Sequence, residues 1–397
     1  MKTAPLWSFA DIRPSNVDKK SNPNETPVRL VNYTDVYYQK SITPELALMS
    51  ATASDEHIAR FGLRAGDIII TKDSETPDDI GIPAIVESST ADMVCAYHLS
   101  LLRPYRERMH PKFLYWYLES DAAKGYWLNS AFGVTRVSIS LGTVSRLPVP
   151  ELDRETQIAI AGYLDREVGE IDSMIDKLDR LKTQLSTLHR TYLVGLGKRL
   201  TEAEAGDVIK VGLMLTKQSR DLREGDGVVT AFRDGQVALR SRRREDGFTM
   251  SFSEHGYQGV EPGDFVFHGL DGFAGAVGVS EDRGKVSPVY HVCTATPLAT
   301  ERFMAWALRA LSANGFLEAY ASSVRQRSID FRNWTTFAGL PMNYVPLDEQ
   351  LHVADHLDDV SGRIDAMLAK VAELKSLLLE RRSALITDVV TGRKEVA

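Results

Sequence analysis

Between Ile171 and Tyr192 the apolar positions recur in alternating steps of three and four: Ile171, Met174, Leu178, Leu181, Leu185, Leu188 and Tyr192. That alternation draws one narrow apolar stripe along a helix, the pattern of a coiled-coil seam. Glu170, Asp172, Lys177, Asp179 and Lys182 fill the positions between, a solvated surface of mixed charge. The register returns in Ile364, Met367, Val371, Leu374, Leu378 and Leu385, with Arg381 where Leu188 would fall. The two stretches are copies. Leu164-Asp165 reappears as Leu357-Asp358, Ile171-Asp172 as Ile364-Asp365, Lys177 as Lys370 and Leu181-Lys182 as Leu374-Lys375, each 193 positions on (Leu357 against Leu164). Leu147-Pro148 leading to Gln157 repeats as Leu340-Pro341 leading to Gln350, at the same spacing. A constant offset without gaps marks an internal duplication. It predicts two long helices in one chain, able to pair antiparallel.

The remaining pattern is strand-like. Val28–Tyr33, Ile68–Ile70, Ile82–Val86 and Met93–Leu99 have strand character, after a short opening element at Trp7–Ile12. The Phe61–Asp67 turn feeds the Ile68 strand, and a polar loop follows from Thr71 to Asp79. A helix starts at Pro111, and Phe132–Ile139 forms a turn and strand. The second half replays this frame with drifting offsets, as expected when loops vary around a kept core. Gly66-Asp67 maps to Gly263-Asp264, His98 to His291, Pro104 to Pro297, Trp116 to Trp306 and Ser138-Ile139 to Ser328-Ile329. The expected fold is α+β with a pseudo-twofold repeat: mixed, mostly β domains at 1–146 and 201–339, and helical regions at 147–200 and 340–397.

Composition narrows the class. At 397 residues the chain exceeds one average domain. Two cysteines, Cys95 and Cys293, cannot build a disulfide framework, and no apolar run reaches membrane-spanning length. The Met1–Pro5 start opens no signal peptide, so a cytoplasmic protein is expected. A net charge of −7 does not advertise nucleic-acid binding, so such a role must rest on local patches. Gly195–Arg199 lacks the spacing and Ser/Thr of a phosphate loop, and Gly272–Gly278 fits no dinucleotide fingerprint. Glu281–Lys285 completes no nuclease arrangement after Asp264, and amino-methyltransferase, HExxH and Gly-x-Ser-x-Gly motifs are absent. No catalytic residue and no metal-ligand set is expected.

The helix entries carry one motif: Leu147-Pro148-Val149-Pro150, Glu155-Thr156-Gln157, Tyr163-Leu164-Asp165-Arg166-Glu167 and Ile171-Asp172. Their counterparts are Leu340-Pro341, Asp348-Glu349-Gln350, Leu357-Asp358 and Ile364-Asp365. On these residues the sequence resembles the specificity subunits of type I restriction-modification enzymes. The resemblance implies two target recognition domains alternating with two helices paired as an antiparallel coiled coil. Each domain then reads one half of a split double-stranded DNA sequence. It also implies a non-catalytic chain that docks methyltransferase and restriction subunits, with S-adenosylmethionine, ATP and Mg used by those partners. The second copy departs from the pattern at Asn343-Tyr344-Val345-Pro346, at His356 in place of Tyr163 and at Asp359 in place of Arg166. A helix from about Glu155 to Leu193 would run roughly 55–60 Å at ~1.5 Å per residue. One duplex turn is about 34 Å, so the rod suits a ruler between two short words.

Candidate DNA contacts in the first domain are Lys72, Ser74, Glu75 and Thr76, then Thr135, Arg136 and Ser138. Such loops offer groove-edge donors and acceptors beside phosphate-neutralising cations. In the second domain the basic cluster Arg240, Arg242, Arg243 and Arg244 and the run Arg325, Gln326, Arg327 and Ser328 stand out, with His268 and His291 as further candidates. Arg and Gln suit bidentate contacts to guanine and adenine. Trp116 and Trp306 read as core, whereas Tyr33, Tyr37 and Tyr38 read either way. Arg166, Glu167, Lys177 and Lys370, flanking the seam, are candidate partner contacts. Two other classes stay open: a self-standing enzyme, and a duplicated protein-binding scaffold without a DNA role. Salt separates the scaffold from a DNA reader, since phosphate contacts weaken steeply as salt rises. Arg327→Ala is expected to relax one half of the recognised sequence, a bidentate contact carrying about 1–3 kcal/mol of discrimination. Competition binding against single-base variants measures it, and an equal loss on all sequences would reduce Arg327 to a phosphate contact.

Overall fold

The computed structural model describes residues 1–133, 135–202, 207–243, 255–324 and 330–396. Arg244, Arg325, Gln326, Arg327 and Ser328, singled out above, lie outside the described residues. The chain divides into two compact units, Met1–Leu178 with Glu373–Ala397, and Asp179–Ala372. The division falls inside both long helices, Arg154–Thr201 and Leu347–Val390, so each unit holds one β-rich domain and half of each helix.

In the first unit a five-stranded sheet runs in the order Ala10–Pro14, Leu99–Pro104, Ile68–Thr71, Pro83–Val86, Ser41–Ile42. The central run Ile68-Ile69-Ile70 has no accessible surface. Side chains alternate across a strand, so one short apolar run serves two cores. Ile68, Ile70 and Leu102 pack with Phe113, Leu114 and the long helices, while Ile69, Leu99 and Leu101 pack with Val28, Leu30 and Val94 behind them. Burying one such side chain contributes about 1.5–3 kcal/mol. The second unit repeats the plan. Its four-stranded sheet has the order Leu215–Lys217, Tyr290–Ala295, Phe265–His268, Val277–Val279. Phe265, Phe267 and Cys293 face the Glu301–Ala313 helix, and Val266 and Val292 face Val229, Val237 and Val260.

The Gly-Asp turns before the central strands are built alike. Gly66 and Gly263 hold φ of 89° and 93°, a region glycine enters at no steric cost. The following carboxylate accepts the amide three residues back, Arg64 N–H to Asp67 and Glu261 N–H to Asp264, both at 2.8 Å. With these turns aligned, the strand registers correct one sequence equivalence. Thr71 pairs with Leu99 and His268 pairs with Tyr290. Tyr290 therefore stands where Leu99 stands, and His291 is the counterpart of buried Ser100 rather than of His98.

Each β-rich domain is fixed to its helix by a duplicated mount. Gln157 is fully buried. Its Oε1 accepts the His110 N–H at 2.7 Å, and its Nε2 donates to the Arg108 and Leu152 carbonyls at 3.1 and 2.9 Å. Gln350, equally buried, accepts the Thr300 N–H at 3.1 Å and donates to the Leu298 and Val345 carbonyls at 2.9 and 2.8 Å. His110 and Thr300 are the N-caps of the Pro111–Glu119 and Glu301–Ala313 helices, so each glutamine seats the start of a domain helix. Just over two turns on, Asp165 accepts from Trp116 Nε1 and Lys112 Nζ, both at 2.8 Å. Asp358 takes the same place against Trp306 Nε1 at 2.7 Å and Arg302 Nε at 2.9 Å. In the second copy Asn343 replaces a proline and donates to the Arg199 and Glu202 carbonyls at 2.9 and 2.7 Å, capping the end of the first long helix.

The long helices run antiparallel. In the first unit Ile160, Leu164 and Val168 share a core with Ile386, Val389 and Val390; in the second, Leu193 packs with Ala354 and Leu357. The seam is rotated from the stripe read in the sequence. Ile171, Leu185, Ile364 and Val371 are buried, but Met174, Leu181, Leu188, Met367 and Leu374 are 40–50% exposed. The other inward row lies four residues on, at Ile175 and His189 in the first helix and at Ser361, Leu368 and Arg382 in the second. Several of these are polar, and so an apolar pattern passes over them. Ser361 Oγ and His189 Nε2 share a hydrogen bond of 2.7 Å in the second unit. In the first, Arg382 meets Asp172 and Glu119, each at 3.1 Å. Polar seam residues fix register at some cost in stability.

Gln350→Leu is expected to destabilise the second unit by about 1–3 kcal/mol for each backbone group left buried without a partner. The midpoint of denaturant unfolding reads this, and an unchanged midpoint would remove the mount from the account.

Candidate nucleic-acid interface

In each unit a cleft opens at the end of the central strand. In the first unit its volume is about 460 Å³. The Tyr33–Tyr38 helix supplies one wall, begun where the Asn32 N–H donates to Asp35 at 2.7 Å. Tyr33 and Tyr37 stack with ring centres 5.7 Å apart. The Tyr37 hydroxyl donates to Asp79 at 3.0 Å, and this bond raises its pKa; Tyr33 is raised chiefly by burial. Both phenols are thus held in their protonated, donating form. Asp73, Ser74, Glu75, Tyr97, His98, Lys19 and Arg136 complete the lining.

The candidates around Thr71–Thr76 and Thr135–Ser138 are brought together by a short ladder, Val137 opposite Ser74 and Ser138 opposite Asp73. Within it Ser74, Glu75 and Arg136 line the cleft. Thr135 and Thr76 are exposed, the Thr76 hydroxyl donating to Asp79 at 2.7 Å. Lys72 turns inward, its ammonium donating to the Ser15 carbonyl at 3.1 Å. Sequence reasoning missed Asp73, Asp79, Tyr97 and His98. The three tyrosines carried a signal, since a cluster of hydroxylated aromatics beside a polar loop suits a wet surface.

The second unit's cleft measures about 630 Å³ and is lined by Arg233, Arg240, Arg243, His268, Asp271 and Tyr290, among others. Arg243 stacks over Phe232 at 4.2 Å and pairs with Asp234 at 2.7 Å, and Arg233 pairs with Asp271 at 2.9 Å. Arg242 pairs instead with Asp282 at 2.5 Å and is not among the lining residues. His268 Nδ1 accepts the Leu270 and Asp271 N–H groups at 3.2 and 2.9 Å, and burial lowers its pKa. His291 is interior. It lies against the Phe331 carbonyl through Nε2 at 2.6 Å, among Phe267, Trp334 and Phe337. Its pKa is lowered, again first by burial.

Arg166, Lys177 and Lys370 are exposed on the long helices, with Arg166 Nε 3.2 Å from the half-buried Glu167. Among the described residues no cluster of three or more His, Cys, Asp or Glu is placed to hold a metal ion. Cys95 and Cys293 are buried and free, and burial raises the Cys293 thiol to about 12. Among the described residues no helix is long and apolar enough to cross a membrane.

No family model matches the chain. Solved structures do. A chain from a study of complex assembly and conformational transition in a type I restriction-modification system matches with a TM-score of 0.70 at 13% identity, covering 98% of this chain and 97% of that one. The HsdS subunit from Thermoanaerobacter tengcongensis matches with a TM-score of 0.55 at 14% identity, covering 98% and 96%. The chain has the fold of a type I restriction-modification specificity subunit. A putative type I restriction enzyme MjaX specificity subunit from Methanocaldococcus jannaschii is 26% identical over 157 residues, and the match spans 38% of this chain and 37% of that protein. Within the specificity-subunit fold, the clefts sit on the two β-rich domains and the mounts join each domain to the helical scaffold.

The buried imidazoles make a pH prediction. His268 and His291 have folded pKa values below the ordinary 6.5, so the fold favours their neutral forms. Stability from this source is complete above 6.5 and is lost as pH falls through the lower folded values. The unfolding temperature of the second unit is expected to drop between pH 7 and 5. His291→Gln keeps a donor for the Phe331 carbonyl but cannot be protonated, so it should flatten part of that slope. An unchanged slope in calorimetry would count against it.

Proposed function

We propose that this chain is the DNA-specificity subunit of a type I restriction-modification enzyme. Each β-rich domain, 1–146 and 201–339, reads one half of a split double-stranded target. The helical regions, 147–200 and 340–397, hold the two readers and dock methyltransferase and restriction subunits. The observation that carries this reading is the pairing of like mounts with unlike clefts. Gln157 with Asp165 and Gln350 with Asp358 seat both domains in the same way, yet one cleft is lined by tyrosines and carboxylates and the other by arginines. A duplicated frame with diverged clefts suits two different words read by one chain.

Ser74, Glu75 and Arg136 in the first domain and Arg240, Arg243 and His268 in the second are the proposed contacts within the clefts. Lys72, Thr76, Thr135, Ser138 and Arg242, with Arg244 and the Arg325–Ser328 run, are proposed around them. Arg166, Glu167, Lys177 and Lys370 are proposed partner contacts. Exposed apolar side chains beside the seam, Met174 and Leu374 in the first unit and Leu181, Leu188 and Met367 in the second, support protein partners on the helices. Methyl transfer from S-adenosylmethionine and ATP- and Mg-dependent restriction belong to those partners.

Methylation mapping in cells expressing this chain with its matching methyltransferase subunit tests the reading. One modified split motif with a constant gap is expected, and exchanging one β-rich domain should change one half only. A stable complex with no new modified motif would overturn the DNA-reading role and leave the scaffold alternative.

A further inference from the structure

Among the described residues His98 is the one non-glycine with a left-handed backbone, at φ 69°. A side chain with a Cβ seldom holds that conformation unless its surroundings impose it, and such residues gather at functional sites. The Lys72-Asp73 segment imposes it here. The His98 carbonyl accepts the Lys72 N–H at 3.0 Å, and Nδ1 lies 2.8 Å from Asp73 Oδ2. Tyr97 backs the ring at 4.0 Å, and the ring lines the first cleft beside Tyr33, Glu75 and Arg136. A carboxylate oxygen only accepts, so Nδ1 carries the hydrogen. In the neutral ring, Nε2 is left as an acceptor.

His268, which lines the second cleft, is held the opposite way. Two backbone N–H groups donate to its Nδ1, so that atom holds the lone pair and Nε2 carries the hydrogen. The two clefts therefore present imidazoles of opposite hydrogen-bond sense. Neither tautomer depends on sequence equivalence, because His98 and His268 occupy different positions of the repeat.

We infer that His98 and His268 are base-reading residues of opposite polarity, His98 accepting from a base amino group and His268 donating to a base acceptor. In the major groove adenine and cytosine offer amino donors, while guanine, thymine and the N7 of adenine offer acceptors and cytosine offers none. The inference rests on the DNA-recognition reading above. It adds a rule: one letter in the half-site read by the first unit is A or C on the strand facing His98, and one letter in the other half is any base but C on the strand facing His268.

The test is methylation of a randomised target library by the complex of this chain with its matching methyltransferase, comparing wild type with His98→Gly and His268→Asn. Glycine accepts the left-handed backbone without strain, so His98→Gly is expected to fold, and its unfolding transition checks this. Asparagine can still accept the Leu270 and Asp271 amides through its side-chain oxygen. The expected result is one relaxed letter per variant, each in a different half. A preference of roughly 3- to 10-fold, the worth of one hydrogen bond, is lost for A or C in His98→Gly and against C in His268→Asn. A folded variant with both halves unchanged overturns the inference while leaving the two-reader function standing. So does a relaxed letter of the wrong class. A wild-type complex that modifies no split motif defeats the function itself, and this inference with it.

Discussion

A primary amide shut away from water must find every partner within the fold, because each group left over costs free energy that no nearby solvent returns. Gln157 and Gln350 meet that demand in one geometry, accepting the N–H of a domain helix's N-cap residue and donating to two carbonyls, one just before that cap and one just before the long helix. Those three bonds tie the long helix and the short segment leading into it to a loop about fifty residues away in sequence, the one before the domain helix. The cleft opens at the end of the sheet that the domain helix packs against. Its position relative to the helix is therefore set by a buried side chain outside the cleft lining.

The sheets pass that placement on. In both units a central strand buried on both faces separates a core facing the helices from a core facing the smaller strands. Strand parity decides which residue joins which core, and a one-residue slip would send every side chain to the wrong one. The glycine turns at Gly66 and Gly263, each locked by the aspartate after it, set the strand start and with it the register. Loop residues beyond the strands are free of these constraints. That is where the two units differ, with tyrosines and carboxylates in one and arginines in the other.

The duplication was legible because the mount is chemically strict. Gln157, Asp165 and their copies kept identity and spacing where loops did not, and the repeat, the α+β class and the long helices followed from them. The seam was half legible. Its shared row, Ile171, Leu185, Ile364 and Val371, is apolar, but its other row contains His189, Ser361 and Arg382, and hydrophobic periodicity chose Met174 and Leu181 in their place. The equivalence of His98 with His291 failed because offset counting does not see strand pairing, and the registers shift it by two. Of the cleft residues, Ser74, Glu75, Arg136 and the Arg240 cluster carried a polar-loop signal. His98 carried none, since its backbone conformation is imposed by Lys72 and Asp73, neighbours in space and not in sequence.

The contact between His189 and Ser361 bears on how the two copies came to differ. If the first repeat paired with a second copy of itself, the position opposite His189 would be filled by Val168, the counterpart of Ser361, and the imidazole would face a hydrocarbon. If the second repeat did the same, Ser361 would face Arg382, the counterpart of His189. Each half has therefore diverged to suit the other and not its own duplicate. The glutamine sockets are chemically common to both halves, whereas the seam is matched only between the two unlike helices, so the two halves are alike where they hold a domain and complementary where they hold each other.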